Sequence, residues 1–426
     1  MARRQPPRGA HAEWIPAADR DPVAIVREVE RYRIRALIPI RQTLMAASPF
    51  GFFRGAAAVM ARDLAARPNT GLLAQICGDA HVLNMGAFAS PEGHLVFDIN
   101  DFDETARAPF EWDLLRFAAS LVLAGREAGD SDRRCVVAVM NFVGSYRRSI
   151  AAFAQMPFID LLRVDVKRLV SSREIDRVLR KAERATRAVL AKKLLEPGKL
   201  RIRTELPRLW RLSPKEKKKV LAALPEYEQT LSTERKFALG RYQPVDAGFK
   251  VSGTGSVGLH DYIVLMTGES AADVLFLQLK EEAPSCYASF VAPDEKHNGQ
   301  RAAEGQRLMQ RTSDPLLGWT SIGGRDYLVR QLNDHKAGIV PDEMSGKSLA
   351  QYAAVAGTVL ARSHARTGDA TAIASYCGTR RRLDRAIARF AIAYANQTAE
   401  DHAVFVKSLP KRHGRVGRTR AHPPSG

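Results

Sequence analysis

Two short segments carry six polar side chains that could bind a cation or move a proton. They are Asp79, His81 and Asn84 in "CGDAHVLNMGAF", and Asp98, Asp101 and Asp103 in "FDINDFDE". Carboxylate and amide oxygens suit Mg²⁺ or Mn²⁺, which take a few protein oxygens and complete their shell with water or phosphate. The predicted metal ligands are Asn84, Asp101, Asp98 and Asp103. We expect the remaining acid, Asp79, to orient or deprotonate a hydroxyl group.

A simpler interpretation of these acids is that they cap turns and pair with nearby arginines such as Arg107 and Arg116. The convergence of several polar groups between two apolar strands argues against it, because an unpaired buried carboxylate is costly. His81 is kept among the candidate catalytic residues, and we expect it to orient the loop through a hydrogen bond rather than act as a base.

A glycine-rich segment, "KVSGTGSVGLHDYIVL", lies between two apparent strands much later in the chain. Its candidate phosphate-binding residues are Gly253, Gly255, Ser256 and Gly258. Glycine lets the backbone turn tightly and bring its N–H groups close to a phosphate. A strand follows this loop where a dinucleotide-binding fold requires a helix, so that fold is excluded.

The next apparent strand, "VLFLQLKEE", places Lys280 inside an apolar stretch. We expect Lys280 to contact phosphate beneath the glycine-rich loop. Glu304, on the helix that follows, is expected to pair with Lys280 and hold it in place. The alternative is an edge lysine whose stem covers apolar surface while its ammonium reaches water.

Hydrophobic patterns predict the elements that position these residues. Helices are expected over 22–47, 110–128 and 132–154, and a basic helical stretch over 171–239. Short strands are expected in "GLLAQICGDA" and "EGHLVFDIND". The β-branched and aromatic runs that follow the basic stretch indicate an antiparallel sheet interrupted by one helix, and helices return after it. A helical body that encloses a β-rich insert is an α+β arrangement.

The same patterns divide the chain into five parts. Residues 1–20 are expected to be a flexible basic arm, and 21–240 a helical lobe that contains both acidic segments. Residues 241–340 are expected to form a β-rich lobe around the glycine-rich loop. The C-terminal helices of 341–406 would complete the helical lobe, and 407–426 would be a disordered basic tail.

The 426-residue chain has a net charge of +19, which favours anionic partners. We expect the basic segment 163–219 to dock such a partner, and nucleic acid is one candidate, although these helices lack the interleaved aromatic residues that support it. No run of about 18 apolar residues occurs, so no membrane span is expected. Four scattered cysteines without a CxxC pair exclude a typical zinc ribbon and favour a cytoplasmic location.

These motifs together resemble the protein kinase and aminoglycoside phosphotransferase superfamily. The segment "GDAHVLN" at 78–84 is similar to its catalytic loop, and "DFD" at 101–103 is similar to its metal-binding element. Asp113 in "FEWDLLRFA" resembles the structural aspartate of the phosphotransferases. One feature departs from the superfamily, because the catalytic loop precedes the glycine-rich loop in this chain. The resemblance therefore implies a two-lobed, protein-kinase-like fold that is circularly permuted.

The whole chain more specifically resembles a bacterial family known as domain of unknown function 2252, over about residues 33–405. The motifs that carry this resemblance are "SPFGFFRG", "CGDAHVLNMGAF", "FDINDFDET", "PFEWDLLR", "LQLKEE", "GQRLMQ" and "LARSHAR". This family resemblance implies the fold, with a small antiparallel β lobe that clamps the nucleotide and a large helical lobe, and it names no substrate.

The superfamily resemblance implies an ATP-dependent phosphotransferase that uses Mg²⁺ or Mn²⁺ and acts on an unidentified small molecule or protein. Asp79 would be the base or orienting group, and Asn84 and Asp101 would bind the metal. Lys280 would contact the α- and β-phosphates. Two alternatives remain open: a protein nucleotidyl (AMP) transferase, and a non-catalytic ATP-binding module that docks an anionic partner.

Overall fold

The structure is a computed structural model, and it describes residues 5–166, 173–251, 253–270, 272–292, 297–332, 337–338 and 345–410. These residues form a helical body and a six-stranded antiparallel sheet that carries helices of its own. The chain is therefore an α+β protein, as the sequence predicts.

Helices dominate the first and last parts of the chain, and most strands lie between them. The α-helices of the described residues are α1 (Pro22–Glu30), α2 (Ile38–Ala46), α3 (Pro49–Gly55), α4 (Ala57–Ala65), α5 (Glu111–Glu127), α6 (Asp132–Phe153), α7 (Phe158–Arg163), α8 (Arg173–Arg184), α9 (Arg187–Leu194), α10 (Pro214–Ala222), α11 (Leu224–Gln229), α12 (Thr233–Leu239), α13 (Asn298–Met309), α14 (Lys347–Thr367), α15 (Ala370–Cys377) and α16 (Arg382–Ser408). The strands are β1 (Leu73–Ile76), β2 (Met85–Ala89), β3 (Leu95–Ile99), β4 (Ala106–Pro109), β5 (Leu209–Arg211), β6 (Gln243–Lys250), β7 (Asp261–Thr267), β8 (Val274–Glu281), β9 (Gly318–Ile322), β10 (Arg325–Gln331) and β11 (Ala337–Gly338).

The helical body is organised around α5, which is buried on nearly all its faces. A helix of that kind needs protein on every side, and α6, α14 and α16 supply it in one continuous core. Two small antiparallel sheets complete the body: β1 pairs with β4, and β2 lies between β3 and β11. The two acidic segments follow β1 and β3, so both leave the body at these small sheets.

The larger sheet has the strand order β5-β6-β7-β8-β10-β9, and all its neighbouring strands are antiparallel. The glycine-rich loop joins β6 to β7. Lys280 lies on β8, opposite Asp261 of β7 and Leu328 of β10. Every residue of β8 is buried, which agrees with the continuous apolar run in its sequence.

The core of this sheet begins earlier in the chain than the sequence indicates. Trp210 of β5 stacks on Phe249 of β6, with ring centroids 4.4 Å apart. Val220 and Tyr227, from α10 and α11, are buried in the same core. Residues up to 240 were expected to belong to the helical lobe because these helices are strongly charged. Their few apolar residues nevertheless face the sheet.

The N-terminal residues 5–20, expected to be a flexible arm, pack against the C-terminal helices. His11 is buried, and its Nε2 lies 2.8 Å from the hydroxyl of Tyr376. Trp14 packs edge-on against aromatic rings of α16. Arg20 forms ion pairs with carboxylates of α4 and α16. The basic composition suggested a solvated arm, but these three side chains have specific partners 43 to 381 residues away.

Other expectations differ in detail. The helix predicted over 22–47 is divided into α1 and α2, because Pro39 lacks an N–H and is accommodated in the first turn of a new helix. The basic segment 163–219 is divided between two cores, with α8 on the helical body and α9 and α10 on the sheet. Residues 167–172 of this segment, and 411–426 of the predicted tail, lie outside the described residues. Within the described part of the chain, no helix combines the length and apolar character needed to span a membrane.

Candidate active site

A cavity of about 970 Å³ lies where the helical body meets the six-stranded sheet. Its walls come from α1, the α3–α4 junction, the segments after β1 and β3, the glycine-rich loop and the residues that follow β8. The predicted site residues that line it are Asp79, His81, Asn84, Asp101, Asp103, Gly253, Gly255 and Ser256. Both acidic segments and the glycine-rich loop therefore meet at one place, in a volume that suits a small ligand.

The backbone immediately before Asp79 is fixed by Asp113 of α5. The Asp113 carboxylate accepts hydrogen bonds from the N–H groups of Cys77 at 2.9 Å and Gly78 at 3.0 Å. Gly78 has a φ of +79°, and a β-carbon there would collide with the main chain that follows β3. Glycine is therefore required at this turn. The turn delivers the Asp79 side chain to the cavity.

Asp113 is in turn oriented by two buried side chains from other helices. Nε2 of His364, on α14, lies 3.3 Å from the Asp113 carboxylate. Nδ1 of His364 lies 2.9 Å from the hydroxyl of Tyr146, on α6. The loop that carries Asp79 is thus tied to the three central helices of the body.

Asp79 forms an ion pair with the buried Arg116, which lies on α5 one turn after Asp113. The guanidinium approaches Oδ1 of Asp79 at 2.5 Å and 2.7 Å. Arg116 has no exposed surface, donates to the carbonyl of Phe53 at 3.2 Å and lies over the Phe53 ring. Burial alone would lower the pKa of Arg116, but Asp79 outweighs burial and raises it. The pair fixes the direction of the Asp79 carboxylate.

His81 and Asn84 complete the loop. Nδ1 of His81 accepts from the backbone N–H of Leu83 at 3.1 Å. Burial, together with Arg54 and Arg116, lowers the pKa of His81 to about 4, although Asp79 opposes this. The imidazole is therefore neutral at pH 7, which agrees with a role in orienting the loop. The side-chain NH₂ of Asn84 donates to the carbonyl of Asp79 at 2.7 Å, which makes its oxygen the atom suited to a cation.

A second charged centre joins the sheet to the body. Nζ of Lys280 lies 3.4 Å from Asp101, and it also forms an ion pair with Asp103. Burial on its own lowers the pKa of Lys280, but the acids around the ammonium outweigh burial and hold that pKa above its ordinary value. Lys280 is therefore a permanent cation between the two lobes.

This centre contains more acid than Lys280 neutralises. Burial, and then the neighbouring Asp101, raise the pKa of Asp103. Burial, and then Asp103, raise the pKa of Glu282 well above its ordinary value. Oε1 of Glu282 is buried and has no hydrogen-bond partner among the described residues. Crowded carboxylates with an unsatisfied oxygen are the environment that a divalent cation relieves.

The donor set fits Mg²⁺. Of the predicted metal ligands, Asn84, Asp101 and Asp103 line the cavity with oxygen donors. Within the part of the chain that the structure describes, no three His, Cys, Asp or Glu side chains form a ready metal cage. Mg²⁺ does not need one, because it binds through one or two carboxylates and takes water and substrate phosphate for the rest.

The glycine-rich loop lies over this centre. Ser256 donates to Asp103 at 3.4 Å, and Gly253 has a φ of +66°. At its far end the loop is anchored to the segment after α1. The carbonyl of Val257 accepts from Arg33 at 2.6 Å, and the main chain of Gly258 bonds to Ile34. The loop tip is therefore held between the N-terminal helices and the acidic segment.

The structure does not bring all the predicted residues to the cavity. Both oxygens of Asp98 accept from Arg362, at 2.6 and 2.8 Å, inside the helical body. Glu304 accepts from Gln300 at 2.8 Å, whereas the ion pairs of Lys280 go to the two aspartates. Gly258, which anchors the loop, and Lys280, which is buried, both lie outside the cavity lining. The cavity therefore retains Asp101 and Asp103, without Asp98, as candidate metal-binding acids.

Two contributors to the cavity were not assigned a role from the sequence. Glu282 lies two residues after Lys280, immediately beyond the end of β8, and only the acidic end of "LKEE" indicated it in the sequence. Arg54 lines the cavity at the end of α3, and the sequence "FFRG" shows only that an arginine interrupts an apolar helix.

Fold and site define an α+β protein in which a lysine from an antiparallel sheet meets two carboxylates of a helical body above an ion-paired aspartate. The chain belongs to the family DUF2252, described as an uncharacterized protein conserved in bacteria, whose model matches residues 33–408. No curated protein and no solved structure matches the chain.

Proposed function

We propose that this protein is a Mg²⁺-dependent phosphotransferase that moves the terminal phosphate of ATP to a hydroxyl group of an acceptor. One observation carries the proposal: Lys280 pairs with Asp101 although 179 residues separate them. Motifs that occur in reversed order along the chain thus meet around a single cavity. That meeting is what a circular permutation of a kinase-like fold requires.

The strand connections support the same proposal. In protein kinases a glycine-rich loop covers the phosphates and the lysine lies on the third strand. In this chain the glycine-rich loop joins β6 to β7, Lys280 lies on the next strand, β8, and helix α13 follows. The acidic element and the catalytic loop lie on the other side of the cavity, in the helical body.

The proposed site residues have the following roles in this reaction. The glycine-rich loop and Lys280 bind the phosphates of ATP. Asn84, Asp101 and Asp103 would hold Mg²⁺, which neutralises charge on the phosphates when it is bound. Asp79 accepts a hydrogen bond from the acceptor hydroxyl and orients its oxygen toward the terminal phosphorus.

The acceptor oxygen forms a bond to the terminal phosphorus while the bond from that phosphorus to the bridging oxygen breaks, and ADP leaves with that electron pair. The hydroxyl proton passes to Asp79. A loose transition state places little demand on proton removal, so the main role of Asp79 is to orient the hydroxyl group.

Binding tests the nucleotide part of the proposal. Calorimetry with MgATP should give binding that Lys280→Met weakens by at least about tenfold, because a charge-assisted contact is lost. Asp101→Asn should remove the Mg²⁺ dependence of binding. Lys217→Met is the matched control, because Lys217 is also a paired lysine, bound to Asp246 on the same sheet away from the cavity. Unchanged binding in Lys280→Met would contradict the proposal.

Labelled ATP tests the reaction itself. With a mixture of hydroxylated metabolites and proteins as acceptors, label from the γ-phosphate should appear in product and label from the α-phosphate should not. Transfer of the α-label would show a nucleotidyl transferase instead. Tight MgATP binding without transfer of either label would show a non-catalytic module.

A further inference from the structure

We propose that Arg54 binds the phosphate group that is transferred, between the tip of the glycine-rich loop and Asp79. This inference rests on the proposed function and adds to it a residue for which the motifs provide no role. Arg54 is the penultimate residue of α3, a helix capped by Ser48 at its other end.

The position of Arg54 follows from its neighbours. A β-carbon on Gly255, at the loop tip, would lie 3.7 Å from the Arg54 carbonyl. The preceding residue, Phe53, accepts the hydrogen bond of Arg116, which is the partner of Asp79. The α3–α4 junction therefore runs from the loop tip to the catalytic loop, and Arg54 lies between them on the cavity wall.

The charge balance of the cavity distinguishes Arg54 from the other cations. Arg116 is paired with Asp79, and Lys280 is paired with the two aspartates of the acidic segment. Arg33 donates to the carbonyl of Val257. Arg54 is half-buried, its Nε has no exposed surface, and the described residues supply it with neither a hydrogen bond nor an ion pair.

A half-buried cation without a counter-ion is costly unless a ligand supplies the anion. The planar guanidinium presents parallel N–H donors that match phosphate oxygens. Burial lowers the pKa of Arg54, and the charges that oppose burial are those of Asp79, Glu127 and Asp101. Two of these acids belong to the proposed catalytic and metal sites. Because Arg54 adjoins both the loop tip and the residue that accepts from Arg116, an anion on it would lie close to Asp79, which is the place proposed for the terminal phosphate.

Nucleotides that differ only in this phosphate test the inference. In Arg54→Met, calorimetry should show MgATP affinity reduced by at least about tenfold, since a charge-assisted contact is lost. MgADP affinity should change by less than about threefold, because ADP lacks the group that Arg54 contacts. Arg54→Lys keeps the charge but loses the parallel N–H donors of the guanidinium, so it should recover part of the MgATP affinity.

Arg62→Met is the control, because Arg62 also lines the cavity but is paired with Glu28 and is 45% exposed. It should leave both affinities unchanged.

The melting temperature of Arg54→Met without nucleotide should equal or exceed that of the unmodified protein, since an uncompensated charge is removed. A fall in melting temperature would indicate a structural role and overturn the inference. Equal losses of ATP and ADP affinity, or no loss, would also overturn it. If the unmodified protein bound neither nucleotide, the proposed function itself would fail.

Discussion

Two carboxylate centres face the same cavity, but their counter-ions are held in different ways. Asp79 is paired with Arg116, which comes from the same body and has no exposed surface. Asp101 and Asp103 are paired with Lys280, which comes from the other side of the cavity. The first pair is internal to one folding unit, and the second joins two.

This difference separates a fixed group from exchangeable ones. The Arg116 guanidinium also bonds to a backbone carbonyl and lies over an aromatic ring, so it stays where it is when a ligand arrives. The side chains of Asp101 and Asp103 are 35% and 23% exposed. A cation and phosphates can therefore replace their contacts with Lys280 without unfolding either lobe. We infer that the first centre maintains geometry and the second responds to the ligand.

Removal of each of the two cations should give the largest difference in stability between the two centres. Arg116→Met leaves the Asp79 carboxylate without its buried cationic partner, so the free energy of unfolding should fall by about 3–5 kcal/mol. Lys280→Met should lower it by less than about 1 kcal/mol, because its acids reach solvent and Asp103 can take up a proton. Denaturant unfolding measures both.

Arg116→Lys keeps the charge and tests whether the guanidinium contacts matter in addition. It should show an intermediate loss, and it remains measurable if Arg116→Met does not fold. Equal losses for the methionine variants of Arg116 and Lys280 would mean that the two centres are held alike.

Two aspartates of one segment provide the next contrast. Asp98 and its partner Arg362 are almost wholly buried, so Asp98→Asn should cost about 3 kcal/mol by leaving Arg362 unpaired. It should leave the affinity for MgATP unchanged once the protein is folded. Asp101→Asn should have the opposite profile, with stability altered by less than about 1 kcal/mol and Mg²⁺-dependent binding lost. Calorimetry and denaturant unfolding on the same samples distinguish the two. A loss of MgATP binding in folded Asp98→Asn would show that Asp98 belongs to the metal site.

The sequence contained the information that separates these two aspartates. Alternation along "LVFDIND" places Asp98 and Asp101 on opposite faces of the strand, and the structure has Asp98 facing α14 and Asp101 facing the cavity. The motif alone gave both the same role. The partner of Asp98 could not be predicted, because Arg362 lies 264 residues away in "LARSHAR".

Local patterns predicted the elements better than they predicted their partners. The helices over 110–128 and 132–154 agree with the structure within one residue at each end, and the strand expected in 71–80 is present over Leu73–Ile76. Arg116 was named from the sequence only as one arginine near the acids, since periodicity does not show which acid it meets. Glu304 was chosen as the partner of Lys280 because it lies on the helix that follows the lysine strand. In this chain the nearer acids after β3 occupy the ammonium.

A third kind of carboxylate sharpens the contrast, because its partners are neutral. Glu111, at the start of α5, is buried and accepts from the N–H and the hydroxyl of Thr70 at 2.6 and 2.8 Å. Burial raises the pKa of Glu111 from 4.5 to about 7, although the bonds from Thr70 lower it in part. Asp79 has a cationic partner, whereas the hydrogen-bond donors that meet Glu111 are neutral.

Stability should therefore depend on pH through Glu111. Between pH 4.5 and about 7 the folded protein keeps the Glu111 proton, whereas the unfolded chain has lost it. The free energy of unfolding should then fall as the pH rises through this window, by on the order of 2 kcal/mol. Glu111→Gln should remove this decline when unfolding is measured at several pH values. The exposed Glu234→Gln should keep it. If Glu111→Gln retained the full decline, neutral donors would hold a buried carboxylate as well as Arg116 does, and the distinction between the centres would lose its physical basis.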